Sequence, residues 1–385
     1  MMRVYADHGA TTPVDPRVVQ AMLPYFTEAF GNPGSIHAWG QQAREAVDRA
    51  RELVAGALGA APSEVVFTSG ATEADNFALI GAALAHEGRG RHIITTQIEH
   101  HAVLEPCRFL EGRGFEVTYL PVDRAGRVDP DDVRRALRDE TILVSVMHAN
   151  NEVGTLQPIA EIARVARERG VLVHTDAAQS FGILPVDVRA LGVDLLAVSA
   201  HKRYGPKGVG ALYVRQGTSL VRLHHGGAQE RNRRAGTENV PAIVGFGEAA
   251  RLALGVMAEE AARLAALRDQ LAAGLAGIPG AHLNGHPTER LPGIVSVSFE
   301  GADSETLLLA LDRAGIAASS GSACTSGSLE PSHVLRALGL PEAMARGTVR
   351  FSLGRSTTAA DVAYILAVTA EIVPRLRAQA SPARR

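Results

Sequence analysis

From about residue 60 to 215, short apolar runs alternate with longer amphipathic stretches, the pattern of strands joined by crossover helices in a mostly parallel sheet. Strands are expected near Val65–Thr68, His92–Thr95, Glu116–Leu120, Ile142–Met147, Leu172–Thr175, Leu195–Ser199 and Gly210–Val214. Helical spacing of apolar residues predicts helices over Thr72–Ala85, His101–Gly112, Pro130–Arg138 and Pro158–Glu168, the last stopped by Gly170. Ala242–Gly274 is rich in alanine and leucine, with charges at helical intervals, and reads as one long helix leaving a large α/β unit. Beyond it, strands at Ile294–Phe299 and Val349–Ser352 and helices at Ser304–Ala314 and Ala359–Leu376 predict a smaller α+β unit. Within that unit Ser319–Glu330 (SSGSACTSGSLE) is small, polar and glycine-containing, which is how a mobile loop reads.

Composition narrows the function classes. With 46% of its 385 residues apolar, the chain can bury one large core and a second, smaller one. Lysine and arginine number 39 against 41 acidic residues, which argues against nucleic-acid and acidic-membrane partners and for small molecules or proteins. Two cysteines, Cys107 and Cys324, make neither a disulfide framework nor a zinc site. Asp7 interrupts the N-terminus before an apolar leader could form, and no stretch approaches the ~18 unbroken apolar residues of a membrane span. A cytoplasmic protein is expected.

The chemistry sits at the ends of the expected strands. Thr68–Glu73 (TSGATE) follows a strand and opens a helix, where backbone N–H groups and the helix dipole can hold an anion; an ordinary capped turn would read the same way. It is not a Walker loop, and neither is Gly205–Gly208 (GPKG), which lacks the spacing and the following Ser or Thr. One strand ends in Asp176 and the next in His201-Lys202, so an acid and a lysine are expected to face one crevice at the carboxyl edge of the sheet, although a surface salt bridge would explain the pair alone equally well. A Schiff-base lysine, a carboxylate for a pyridinium nitrogen and an anion cup are together what pyridoxal 5′-phosphate requires.

Read as ordered segments, Tyr5–Pro13 (YADHGATTP), Thr68–Glu73 (TSGATE), Glu99–Val103 (EHHAV), Asn150–Gly154 (NNEVG), His174–Gln179 (HTDAAQ), Ser199–Lys202 (SAHK), Arg234–Asn239 (RAGTEN), Ser319–Gly327 (SSGSACTSG) and Arg350–Arg355 (RFSLGR) make the chain resemble, end to end, the cysteine desulfurases of the nitrogen-fixation and iron–sulfur-cluster type, in the class-V aminotransferase-like family. The resemblance implies the pyridoxal-phosphate fold type I. It divides the chain into an N-terminal segment (1–15) contributing to the small domain and the active site, a large cofactor-binding domain (16–255) and a small C-terminal domain (256–385) with the cysteine loop. It makes Lys202 the lysine that carries the cofactor and Asp176 the partner of the pyridinium nitrogen. Ala71, Thr72, Ser199 and His201 would hold the phosphate, with Thr237 reaching it from a neighbouring subunit of a homodimer. Gln179 and Asn151 would lie on the phenolic side, Asn151 also near the substrate carboxylate, and His100 would stack on the ring and shuttle protons. Arg350 would bind the substrate carboxylate, for which a bidentate guanidinium is suited.

Cys324 separates this reading from its neighbours. Cys107 lies on the apolar side of an expected helix, the common place of a structural thiol, whereas Cys324 stands among serine, threonine and glycine with no core to join. The resemblance implies that Cys324 takes the sulfur of L-cysteine as a persulfide, leaving L-alanine, and passes it to a sulfur-acceptor protein such as an iron–sulfur scaffold or a tRNA-thiolation protein. A selenocysteine lyase or aminotransferase would share the cofactor residues but has no need of Cys324, and a non-catalytic scaffold would need none of Lys202, Asp176, His100 and Cys324. His8, Gly9 and Gly34 depart from the residues usual in the family; the N-terminal motif is expected to shape the substrate pocket, so the departures there either alter selectivity or rate or, the favoured account, are structural variation alone.

Overall fold

A computed structural model describes residues 2–320 and 331–380. Its strands are β1 (Val4–Tyr5), β2 (Val65–Thr68), β3 (His92–Thr96), β4 (Glu116–Leu120), β5 (Thr141–Ser145), β6 (Leu172–Asp176), β7 (Leu195–Ser199), β8 (Gly210–Val214), β9 (Ala281–Asn284), β10 (Ile294–Phe299), β11 (Ile316–Ala317) and β12 (Thr348–Ser352). Seven of them form one sheet in the order β2-β8-β7-β6-β5-β3-β4. The ladders from β4 through β3, β5 and β6 to β7 are all parallel, and β8 alone runs against its neighbours β7 and β2. Residues 200–209 are all that joins β7 to β8, too short for a crossover helix, so the chain must reverse. The GPKG segment is part of that reversal.

The crossover helices are Ala71–His86, His101–Glu111, Pro130–Ala136 and Ile159–Arg167. The last begins one residue later than its pattern predicts because Pro158 has a non-helical backbone (ψ 60°). β5 stops at Ser145, two residues before the apolar run does, since the Met147 N–H leaves the ladder to bond the Glu99 carboxyl. Three helices in the first sixty residues, Pro16–Met22, Pro24–Thr27 and Ala38–Leu58, escape the sequence pattern.

Val240–Ala276 is a single helix with two roles. Val240, Ile243, Phe246 and Ala250 join the core on one face of the large sheet with Val54, Phe67 and Val198. Further along, Leu264, Leu271 and Leu275 join a second core with Val295, Phe299, Phe351 and Ile365. Its length and composition match those of a membrane span, but its apolar stripes are used on these two cores. The second core lies beside an antiparallel sheet, β12-β10-β9, with β1 paired to β11 next to it. The N-terminal segment laces the units together: the Ser352 N–H donates to Ala6 O and the His8 N–H to Ser352 O, and then the Thr12 N–H donates to His201 O and the Asp15 N–H to Tyr204 O.

Candidate active site

A cavity of about 500 Å³ at the carboxyl ends of β6 and β7 is lined by Ala71, Thr72, His100, Asn151, Asp176, Gln179, Ser199, His201, Lys202 and Arg350. At one end lies the N-terminus of the helix Ala71–His86, capped by Gly70. A Cβ at Gly70 would meet nothing within 4 Å, so the turn opens onto free space. The turn rests on β8 through a glycine: a Cβ at Gly210 would lie 2.5 Å from Val198 O and 2.7 Å from the Gly70 carbonyl carbon. The Glu73 carboxylate ties the turn down, accepting the Ser69 N–H at 2.9 Å and pairing with Arg234 at 2.9 Å. Ser199 and His201 complete this end, the His201 ring lying 3.1 Å from Thr11 Oγ1. Burial, reinforced by Lys202 and Lys207, pushes His201 down to about 4, which leaves it neutral.

Asp176 forms part of the lining with 8% exposure, its Oδ1 accepting the Ala178 N–H at 2.8 Å. His100 caps the helix His101–Glu111, its Nδ1 accepting the Ala102 N–H at 3.1 Å. Burial lowers His100 to about 4, opposed by Asp176 and reinforced by Lys202, His101 and His333, so the ring is neutral near pH 7. With Nδ1 occupied as an acceptor, the neutral ring carries its proton on Nε2. Gln179 donates from Nε2 to Gly9 O at 3.0 Å. Arg350, 2% exposed, donates to Asn151 O at 2.8 Å and to Asp7 Oδ1 at 2.7 Å. An ammonium, a buried carboxylate, a neutral imidazole and an open helix N-terminus in one cavity fit pyridoxal phosphate.

Of the expected site residues that are described, Thr237 is not in this cavity. Thr237 lines a neighbouring cavity of about 230 Å³ that shares Ser69 and Gly208 with the first. Cys324 lies outside the described residues, but both flanks of its segment reach the site: Ser319 exchanges two backbone hydrogen bonds with Arg350, and His333 lines the cavity with its Nε2 2.9 Å from Glu99 O. Cys107 is fully buried, and burial raises its thiol far above the ordinary value.

The N-terminal departures do not act together. Gly9 lines the cavity, whereas the His8 ring turns away from it, edge-on to Tyr5 and against Gly354, with Nδ1 3.2 Å from Ser352 O. Gly34 is exposed in a turn where its N–H bonds Asn32 Oδ1. Sequence reading missed Asp75, Glu152, Lys207 and His333, which also line the cavity. Asp75 had a signal, since it stands three residues after Thr72 and thus on the same helix face. Lys207 lay in the GPKG segment, whose part in the cavity the strand pattern does not reveal.

The class-V aminotransferase model matches residues 4–365. A relative named cysteine desulfurase IscS from Methanosarcina thermophila is 56% identical, covering 97% of this chain and 93% of its own length. Another of that name, from Dictyoglomus turgidum, is 53% identical over 97% of this chain and 95% of its own. Among solved structures, a NifS-like protein superposes with a TM-score of 0.92 at 42% identity, covering 97% of this chain and all of that one. A structure described as SspA in complex with cysteine gives 0.79 at 39% identity, covering 91% and 98%. With its cavity residues and its full-length likeness in agreement, this chain belongs to the class-V aminotransferase family and, within it, to the cysteine desulfurases.

Proposed function

We propose the following division of labour for a pyridoxal-phosphate-dependent enzyme that converts L-cysteine to L-alanine and hands the sulfur to a protein thiol. The observation that carries it is the meeting of Lys202, Asp176, His100 and Arg350 in one cavity beside an open helix N-terminus. The N-terminal turn Gly70–Thr72, with Ser199 and His201, would hold the phosphate, Asp176 the pyridinium nitrogen and Lys202 the aldehyde carbon. Bound there, the cofactor supplies a sink for the electron pair left at Cα when its proton is removed. Arg350 binds the substrate α-carboxylate, assisted by Asn151, and orients the Cα–H bond. Lys202 moves the Cα proton. The Cys324 thiolate attacks the substrate sulfur; the S–S bond forms as the Cβ–S bond breaks, and Cβ gains the proton that completes alanine. Enzyme thiol plus cysteine thus becomes enzyme persulfide plus alanine, with no external oxidant. His100 is the neutral imidazole beside this step. To take the thiol proton it must give up the Ala102 N–H bond at Nδ1 or lose the proton on Nε2.

The persulfide then passes to an acceptor protein, for which an iron–sulfur scaffold or a tRNA-thiolation protein is the proposed class. A homodimer is proposed because Phe26, Phe30, Ile36 and Trp39 expose from 56% to 94% of their surface within one short stretch of chain. The cytoplasm is the proposed compartment, where a reactive thiol stays reduced. The test is absorbance of the purified protein with and without L-cysteine, with alanine measured alongside. A visible cofactor band that L-cysteine perturbs, and that Lys202→Ala lacks, is expected; a colourless protein that also fails to bind added cofactor overturns the reading.

A further inference from the structure

Arg350 is the largest of the fully buried side chains, and a guanidinium stays charged wherever it is placed. Such a cation needs a fixed counter-charge. Among the described residues Asp7 pairs with it, at 2.7 Å from one terminal nitrogen, while Asn151 O takes the other at 2.8 Å. Glu152 is also near, but its carboxyl accepts the Ser332 hydroxyl at 2.6 Å, and burial pushes it up to about 7.

The two anchors come from different parts of the chain. Asn151 follows β5 in the large sheet's unit, and Asp7 belongs to the N-terminal segment, which is held along β12 by the bridge from Asp7 to Ser352. The Gly9 N–H bonds Ser352 Oγ at 2.8 Å. A Cβ at Gly9 would come within 3.2 Å of that oxygen and 3.4 Å of Arg350 Cζ, so a glycine here lets the segment lie close behind the arginine. Arg350 lines the cavity and Asp7 does not. The carboxylate therefore backs the guanidinium without occupying the place of an incoming ligand.

We propose that Asp7 is a positioning residue for substrate recognition: it fixes the plane and charge of Arg350 so that the guanidinium is presented to the α-carboxylate of L-cysteine. This rests on the reading of Arg350 as the carboxylate site. Without Asp7 the guanidinium loses the carboxylate that fixes its charge and plane, and its fork is aimed less firmly.

The test uses the full-length holoenzyme, with L-cysteine turnover, calorimetric binding of L-alanine, and binding of cysteamine, which lacks the carboxylate. Asp7→Ala is expected to raise the KM for L-cysteine and the Kd for L-alanine about tenfold, with kcat within about threefold of the parent, as loss of a ground-state contact requires. Cofactor absorbance and cysteamine binding should not change. Asp7→Asn, nearly isosteric, gives the same reading at smaller amplitude and serves if the alanine variant does not fold. Unchanged or tighter L-alanine binding overturns the proposal, as does equal weakening for L-alanine and cysteamine, the mark of general disruption. Arg350→Ala separates the two readings: if it leaves L-alanine binding intact, the carboxylate assignment itself is wrong, whereas loss with Arg350→Ala but not with the Asp7 variants removes only the role of Asp7.

Discussion

Nε2 of His174 stands 3.3 Å from Oδ1 of Asp75, and neither side chain is more than 1% exposed. The other ring nitrogen of His174 lies 2.9 Å from Ser145 Oγ, and neither Asp75 oxygen has a well-directed donor. Burial, then the neighbouring Asp176 and Glu99, opposed by Lys202, raise Asp75 well above its ordinary 3.8, and burial lowers His174 to about 3, so the imidazole is neutral near pH 7 and the carboxyl keeps its proton to higher pH than an exposed one. The folded state keeps a proton on Asp75 that the unfolded chain gives up, and this costs stability progressively as pH rises above about 4. Asp75→Asn mimics the protonated acid. Denaturant unfolding of the apoprotein should find the variant's stability advantage over the parent growing from pH 5 to pH 8. A variant equally destabilised at both pH values would show that Asp75 is ionised in the fold.

Arg51 and Glu230 make a two-pronged ion pair, both contacts 2.7 Å, with each side chain only 3% exposed. Glu230 also accepts the Phe67 N–H and Arg51 donates to Val65 O, so the pair secures the strand that leads into the phosphate turn. Glu230, Arg231 and Asn232 have φ of 47°, 56° and 62°, a left-handed run costing roughly 1 kcal/mol or more per residue, which the buried pair offsets. Glu230→Gln leaves the guanidinium without its counter-charge and should destabilise the protein by about 3–5 kcal/mol. Equilibrium denaturation checks this, and a loss below about 1 kcal/mol would contradict it.

The strands of the large sheet were legible because their apolar runs are bounded by polar turns, and Asp176 and Lys202 because they stand at the ends of two such runs. β1 and β11 were not, since two-residue strands carry no period and exist only by pairing with each other. Ala38–Leu58 hid because Arg44, Glu45, Asp48, Arg49 and Glu52 crowd its outer face, masking the stripe of Ala43, Val47, Ala50 and Val54 that meets the core. Asp75 shares a helix face with Thr72, but its burial comes from the packing of that helix on the large sheet's core. The opposite directions of His8 and Gly9 were beyond sequence, because neighbouring residues in a turn follow no fixed alternation.

His100 should act as a neutral group throughout the working pH range, because burial and the nearby Lys202, His101 and His333 outweigh Asp176 and hold it near 4. A depressed histidine pKa keeps the ring unprotonated down to that value, so alanine formation should show no acid limb from this residue between pH 5 and 8. His100→Gln should retain cofactor absorbance and slow alanine formation by about 10²–10⁴-fold, the range for loss of a proton-transfer group. Single-turnover rates at saturating L-cysteine decide it: near-parental rates in the variant would remove His100 from the chemistry.

The two cysteines should behave as opposites. Cys107 packs in the core with Val103, Leu110 and Ile142, where burial holds its thiol protonated and no reagent reaches it. Cys107→Ala should cost about 1 kcal/mol of stability for the small void it leaves and keep full activity. Cys324 belongs to a segment whose described flanking residues, Ser319 and His333, meet Arg350 and the cavity. Cys324→Ser should keep the cofactor, since Lys202 and Asp176 hold it, yet form no alanine from L-cysteine. After a pulse of L-cysteine without reductant, mass spectrometry should find one added sulfur on the peptide containing Cys324 and none on that containing Cys107. If Cys324→Ser turned over L-cysteine at the parental rate, sulfur would be leaving without a thiolate to receive it, and persulfide formation at this residue would have no part in the reaction.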